Sequence, residues 1–585
     1  MKRFLGFAAV FCLFCSLCSA AATVGKLAPG FKLYVNGEIS REDAAALAKD
    51  PAHAMAVAPR TVSADDNGLV EIVANGGEFK LQTQNPAILT ATLTAEEDGE
   101  VYLGVGANWT FECYVNEQMV YSTLWDGNRT REFAADNHIF PVRVHKGVNH
   151  IAIYLLSGWQ GGGWCVALDS FEPTPELQER FQPEVTHQPW ITHAGIGTVT
   201  VNFPTANPIV AFVDYREKGT QEWQRAYELL GGQARDDRAE HTIPLNGLKD
   251  DTVYEYRPVL VPQPFTGREC PGPVHTFRTF SPAKKNFKVF FTSDTQMPPD
   301  RRVALLEDFL KNCGAATADL FVHGGDVDNI FDVSEPLFLD SFVDVLTADR
   351  EMSQPLVALR GNHEYRGDRS GDYFGYFGGP DHRSYYAFRH GNTCFIVLDS
   401  GEDKPRWATM RWYARTYDAP LMAEQRAWLE KVVGSELFQE ATFRVVLAHS
   451  PGYGESYMAK SIETIADGIL TGDAPAHRIH LWLCGHTHRY SRSTGNGNSQ
   501  RVFDRGAVLP YPETLPYVVL VNDGPGGGAG PDFSAVLLEF NDDRIEIRSM
   551  ERDGKVFDHF SIRPDGSVTE HETSLQLAVP GKDAD

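Results

Sequence analysis

Five short stretches of this chain end in side chains that bind metal ions. They are Asp294 and Gln296 in "FFTSDTQ", Asp326 in "GGDVDN", Asn362 and His363 in "GNHE", His449 in "LAHSPGY", and His486 with His488 in "CGHTHRY". Taken singly, an Asp after an apolar run is ordinarily a turn or cap residue, and a His is ordinarily a satisfied surface or core side chain. Five such tips together are a different signal. Carboxylate, amide oxygen and imidazole are the donors that hold Zn²⁺, Mn²⁺ or Fe, and two such ions need a carboxylate between them to offset their repulsion. Gly324, Gly325, Gly361 and Gly485 precede these residues and predict sharp backbone turns that aim the next side chain at an ion.

Positioning these groups requires rigid strands. From residue 286 the pattern alternates strand and helix: "FKVFFTSD" then "DRRVALLEDFLKNC", "ADLFVHGGD" then "EPLFLDSFVDVLTADR", followed by "PLVALRGNHE", "NTCFIVLDS", "FRVVLAHSP" and "RIHLWLCGHTH". Such alternation predicts a layered α/β domain in which the carboxyl ends of strands converge on one site. "SAVLLEFNDDRIEIRSMERDGKVFDHFSIRP" reads as a closing β-meander, and residues 565–585 as a loosely ordered polar tail.

The blocks "GGD", "GNHE", "AHSPGY", "GHTHRY", "VNDGPGG" and "MERDGKVFDHFSI", in that order, resemble the calcineurin-like metallophosphoesterase superfamily and its purple-acid-phosphatase-like branch. The resemblance covers residues 286–563 and implies a β-sandwich flanked by helices. It also implies that Asp326 bridges two metal ions, that Asn362, His449 and His486 complete one site, and that Asp294 and His488 serve the other. The ions, roughly 3.5–4 Å apart in such centres, would hold a bridging hydroxide that attacks phosphorus in line. His363 would stabilise charge on the phosphoryl group or protonate the leaving oxygen. Glu364 would either orient that imidazole or act as a helix-start or salt-bridge residue.

Two positions depart from the family. Ordinary members place His two residues after the first Asp, whereas purple acid phosphatases place Gly there and supply Tyr three residues after the bridging Asp. This chain has Gln296 and Asn329. Gln296 either ligates through its amide oxygen or holds a water or the substrate phosphate. Without a phenolate the centre is expected to be colourless or not purple, with one labile metal. Asn329 is expected to lie behind the ligands or to serve a turn. Arg360 and Arg366, flanking "GNHE", and Arg369 are candidates for the substrate phosphate, since Arg suits bidentate contact. Surface solvation is the alternative for each. Tyr365, Tyr453 and Tyr490 are candidates to line the pocket.

Upstream, two all-β sandwiches are expected. Residues 24–176 carry strand-length runs such as "AILTATLTA" and "HIFPVRVHKGVNHIAIYLLSG" and resemble the jelly-roll accessory domains of secreted carbohydrate-active enzymes. Trp109, Trp125, Trp159 and Trp164 either stack on sugar rings or pack a core. Residues 186–280 read as a seven-strand sandwich, and "LNGLKDDTVYEYRP" resembles the tyrosine corner of a fibronectin type III domain, with Tyr254 or Tyr256 at the corner.

Residues 1–20, "MKRFLGFAAVFCLFCSLCSA", have the basic start, apolar middle and small-residue end of a secretion signal. The formal charge is −25, two units more negative once Lys2 and Arg3 leave, which argues against nucleic-acid backbone as a general partner and leaves room only for a local basic pocket. No membrane anchor is expected. Of nine cysteines, Cys12, Cys15 and Cys18 leave with the signal. Export permits disulfides, and Cys113 with Cys165 is the expected pair, buried free thiols being the alternative.

The sequence therefore points to a secreted or periplasmic, dinuclear metal-dependent phosphohydrolase. Its cofactors would be two divalent or trivalent ions (Zn, Mn or Fe), and its substrate a phosphomonoester or phosphodiester, free or on a glycan. The alternative is a secreted glycan-binding protein whose metallophosphoesterase domain has lost catalysis.

Overall fold

In a computed structural model of the chain the described residues are 25–124, 133–158, 164–263, 268–331, 335–348, 351–378, 383–404, 417–452, 457–470, 475–495, 502–504, 515–524 and 533–578. The expected signal peptide, Trp125, Trp159, Tyr453 and part of "VNDGPGG" lie outside them. Among the described residues no helix is long and apolar enough to cross a membrane. The chain divides into two compact units: residues up to 183 with 261–270, and residues 184–260 with 271–585.

In the first unit, alternating strands build two antiparallel sheets. The long strands Asn85–Ala95 and Gly147–Ser157 pair along their whole length, from Asn85 opposite Ser157 to Ala95 opposite Gly147. A second sheet of four strands contains Gly99–Ala107 and Cys165–Phe171. Leu33, Leu89, Leu103, Phe111, Phe140, Ile153 and Val166 fill a common core. The helix Arg41–Lys49 was not expected. It starts in a capping box in which Ser40 and Asp43 satisfy each other's backbone N–H, and it buries Ala44, Leu47 and Ala48.

The expected Cys113–Cys165 disulfide is not formed. Cys113 belongs to the sheet containing Thr110–Val115 and Cys165 to the other sheet, and both are buried free thiols.

The second unit begins with a three-stranded sheet, Trp190–Gly195, Thr198–Pro204 and Glu240–Asn246, and a sheet containing Val210–Glu217 and Val253–Gln263. The hydroxyl of Tyr254 accepts the Lys249 N–H at 2.9 Å, so Tyr254 makes the corner bond, while Tyr256 bonds to Ser353 Oγ at 2.8 Å. Trp190 shares a hydrophobic cluster with Phe290, Leu305 and Phe309, and its Nε1 donates to Tyr376 O at 3.2 Å.

Residues from 287 onward form two sheets with helices outside. In the first, Leu356–Ala358, Leu320–His323 and Phe287–Thr292 run parallel and continue into the antiparallel meander Ser534–Phe540, Ile545–Glu551, Val556–Ile562. In the second, Thr393–Leu398, Phe443–Ala448, Leu481–Cys484 and Val518–Val521 are parallel neighbours. Phe287 and Phe540 of one sheet and Phe395 of the other meet between them, with Phe287 stacked on Phe540 at 4.5 Å. On the outside, the helix Pro299–Asn312 buries Leu305, Leu306 and Phe309 on the first sheet. Asp418–Val433 and Tyr457–Ala466 cover the second.

The polar tail is corrected in part. Val568–Thr573 is the edge strand of the first sheet and Gln576–Ala578 pairs with Val502–Asp504, although the run has few apolar residues. Buried Arg492 holds it, meeting exposed Glu570 Oε2 at 2.7 Å and buried Asp558 Oδ2 at 2.7 Å.

Candidate metal centre

The parallel strands deliver their tips to one place. Asp294 follows the strand ending at Thr292, Asp326 the one ending at His323, and His449 the one ending at Ala448. His486 and His488 follow the strand ending at Cys484. The tips are tied by main chain: Asp294 N donates to Gly325 O at 3.0 Å and Gly485 N to His449 O at 2.9 Å.

The expected turning glycines are corrected in part. Gly325 turns with φ of 92°, but the left-handed conformation also falls on the functional residues themselves, with φ of 53° at Asp294, 57° at Asp326, 73° at His486 and 57° at His488. Such a conformation costs about 1–2 kcal/mol at a residue with a Cβ, so the fold supports four strained positions at one site. Gly361 and Gly485 serve close approach instead. A Cβ at Gly361 would stand 2.2 Å from Asp326 Oδ1, and one at Gly485 would stand 2.1 Å from Asp294 Oδ2.

Two groups of donors result. Asp326, His449 and His486 form one, Asp294, Asp326 and His488 the other, each with its ligand atoms within 4.8 Å of one another, and Asp326 belongs to both. Asn362 completes the first: its Oδ1 lies 3.0 Å from His449 Nε2 and 3.1 Å from His486 Nδ1. His449 Nδ1 donates to Gly324 O at 2.8 Å, which turns Nε2 toward Asp326 Oδ2 at 3.3 Å. Turning the Asn362 amide over would point its nitrogen at these atoms and let Oδ1 accept from Arg366 at 3.0 Å. An amide oxygen facing other acceptors is the arrangement a cation satisfies.

The electrostatics also call for positive charge. Burial alone would lower the His449 imidazole, but Asp326, hydrogen-bonded to it, and Asp294 outweigh burial and push it up to about 10. Burial would raise Asp326, yet His449 and His363 hold its carboxyl well below the usual range. Burial and then repulsion from His449 push His486 down to about 4. A metal cation supplies the charge these buried carboxylates otherwise draw from a proton, so the residues present fit the ion.

Gln296 is brought to the centre with its nitrogen inward: Nε2 donates to Asp326 Oδ2 at 3.0 Å. His363 stands at the rim. Its Nδ1 donates to Asn329 O at 2.6 Å, and Arg366 Nη1 lies 2.9 Å from its Nε2. Asn329 therefore contributes its carbonyl. Burial first, then Arg366, lower the His363 imidazole.

Glu364 does not orient His363. Its buried carboxylate accepts N–H groups from Gly361 at 2.8 Å, Asp326 at 2.9 Å and Val327 at 2.9 Å, locking "GNHE" to "GGDV". Burial and the neighbouring Asp326 charge push it up to about 7 against the pull of those N–H groups.

Arg366 reaches the rim and is paired with Glu402 at 2.7 Å and Asp403 at 2.5 Å. Arg360 and Arg369 are not brought to the centre. Arg360 stacks on the Tyr365 ring with its guanidinium carbon 3.6 Å from the centroid, and Arg369 pairs with Asp372 at 2.6 Å. Tyr365 hydroxyl donates to Asp399 at 2.8 Å, and Tyr490 hydroxyl to Asp558 at 2.8 Å, so both rings serve the scaffold.

Sequence reading missed three supports. Glu402 and Asp403 hold Arg366. Fully buried Arg302 pairs with Asp328 and donates to Thr295 O at 3.2 Å and Met297 O at 3.1 Å, fixing the loop that carries Gln296. Its only signal was an Arg on the inward side of the helix pattern.

The family model for calcineurin-like phosphoesterase matches residues 287–490, a range that contains every candidate ligand. Among solved structures the chain is similar to a purple acid phosphatase, PPD1, from yellow lupin (Lupinus luteus) seeds. Identity is 14%, coverage 83% of this chain and 94% of that one, and the TM-score 0.45. It is also similar to PhoD, with 12% identity, 68% and 94% coverage and a TM-score of 0.44. A dimetal phosphatase from Danio rerio aligns at 13% identity over 48% of this chain and 99% of that one, with a TM-score of 0.32. No curated protein matches the chain in sequence.

Proposed function

Because residues 287–490 form a calcineurin-like phosphoesterase domain, a metal-dependent hydrolase, we propose that this chain is an exported phosphohydrolase with a dinuclear centre. Its substrate is a phosphomonoester or phosphodiester. The observation that carries the reading is the pair of donor groups sharing Asp326. Asn362, His449 and His486 would hold one ion, Asp294 and His488 the other. When bound, such a pair acidifies water into a hydroxide nucleophile and offsets charge on the phosphoryl oxygens.

The chain's own residues do the rest. Glu364 holds the Asp326 and Asn362 loops at fixed separation, so the two donor groups keep their spacing. Asn329 O keeps the proton on His363 Nδ1, leaving Nε2 directed at the rim, where it meets Arg366. An incoming phosphoryl oxygen takes over the Arg366 N–H that Nε2 accepts in its absence, and His363 binds that oxygen once Nε2 has taken up a proton. Export is supported by the signal pattern of residues 1–20.

Metal analysis with turnover of an aryl phosphate and its bis-ester tests this reading. Two ions per chain, with turnover abolished by Asp326→Ala or Asn362→Ala, are expected. A chain that takes up no metal and turns over neither ester sinks the proposal and leaves the glycan-binding alternative.

One feature of the first unit supports a separate carbohydrate contact. Trp109 is 46% exposed, adopts φ of 70°, and lies against Gly158, where a Cβ would stand 2.4 Å from the indole. An exposed indole held flat by strained backbone suits the apolar face of a sugar ring. Trp109→Ala is expected to lower retention on immobilised polysaccharide without changing phosphoester turnover.

A further inference from the structure

The closing meander carries a cluster that the phosphoesterase centre does not use. Glu546 on Ile545–Glu551, His559 on Val556–Ile562 and His571 on Val568–Thr573 bring one carboxylate and two imidazoles together across three adjacent strands. Both Nε2 atoms approach the same oxygen: His559 Nε2 lies 3.1 Å and His571 Nε2 3.5 Å from Glu546 Oε2. The other oxygen, Oε1, is held by Arg544, which keeps the carboxylate from rotating. The two rings lie 4.5 Å apart between centroids.

Strand register explains the meeting. His559 pairs with Glu572 and Phe560 with Glu570, so His571 is an extra residue in a β-bulge beside His559. A bulge re-aims a side chain that regular pairing would place elsewhere. The neighbouring Glu570, itself exposed, is fixed by buried Arg492, which locks the bulge in register. The cluster also lies far from the catalytic tips along the sheet. Glu546 pairs with Glu539, which pairs with Lys288 at the start of the strand whose far end delivers Asp294.

From this geometry we propose a second, separate metal site, at which Glu546 Oε2, His559 Nε2 and His571 Nε2 bind one Zn²⁺ with water as the fourth ligand. Bonds of about 2.0–2.1 Å at tetrahedral angles put neighbouring donors roughly 3.3 Å apart, the value that the two distances above bracket. Two imidazoles with one carboxylate favour a borderline ion such as Zn²⁺ over Mg²⁺ or Ca²⁺. His571 is about a third exposed and His559 less, which leaves an entry path. The ion ties the bulged edge strand to the two strands beside it, so its role is structural.

The test uses the full chain, stripped of metal and re-equilibrated with Zn²⁺, with bound zinc counted per chain. The His559→Ala/His571→Ala double variant is expected to hold one Zn²⁺ fewer than the parent, with aryl phosphate turnover unchanged. Equal zinc content in the two proteins overturns the proposal and leaves an ordinary surface ion-pair network. Should the double variant not fold, His571→Gln alone serves. It keeps a polar side chain beside Ser561, 3.0 Å from the imidazole, and is expected to lower zinc affinity at least about tenfold in the same titration. Unchanged affinity in that variant overturns the proposal equally.

Discussion

The two donor groups of the proposed metal centre share Asp326 and differ in almost everything else. The half built by Asn362, His449 and His486 is enclosed: His449 is fully buried, and Gly324 O sets the ring's orientation. The half built by Asp294 and His488 has one buried carboxylate and an imidazole that is 30% exposed. Its third neighbour, Gln296, turns its amide nitrogen inward to Asp326. Three preset donors hold an ion more tightly than two with a solvent-facing arm, so in the proposed centre the second half is where metal is expected to exchange.

The largest test of this contrast removes what the halves share. Asp326→Ala is expected to strip both ions and reduce turnover well beyond the roughly 10–100-fold that follows loss of a ligand's supporting partner. Retention of one ion would show that the halves are independent. Next, His449→Ala and His488→Ala should differ. The first is expected to abolish turnover, whereas the second is expected to lose one ion and recover activity when excess metal is added. Equal behaviour on metal titration breaks the comparison.

Glu364→Gln probes the scaffold beneath the shared residue. Replacing one acceptor oxygen by an amide nitrogen opposes the N–H groups of Gly361, Asp326 and Val327, and is expected to weaken metal binding about 10–100-fold. Gln296→His sharpens the contrast from the other side. An imidazole in place of the amide is expected to slow metal loss from the second half by about tenfold during dialysis against chelator. The smallest expected effect is optical. With iron loaded, no phenolate band should appear in the visible spectrum, because Tyr365 is directed to Asp399 and Tyr490 to Asp558.

Residue type and order were enough to pick out the donors that the fold brings together, because carboxylate, amide and imidazole at successive strand ends have few other uses in combination. They were not enough to find what holds those ligands. Glu364 stands next to His363 in sequence, which leaves an orienting role and a helix-start or salt-bridge role both open, yet its carboxylate points back to three N–H groups on two loops. Arg360 and Arg366 both flank "GNHE" and read alike. One packs on Tyr365 and the other reaches the rim, a difference set by Glu402 and Asp403 from a distant loop. The edge strand Val568–Thr573 was hidden because its register is held by an ion pair from buried Arg492 to Glu570 rather than by apolar alternation.

By itself, the sequence determined the layered phosphoesterase domain, the order of the strand tips and the chemical identity of the donors. Periodicity and side-chain chemistry are local properties, and each run carries its own. Only the tertiary structure decided that Gln296 turns its amide nitrogen to Asp326 and that Cys113 and Cys165 lie in different sheets. It also placed left-handed turns on Asp294, Asp326, His486 and His488 and not on Gly325 alone. Those are facts about distance between segments far apart in the chain. A single strained residue has no local reason to stay strained until the packed neighbours around it leave no other conformation.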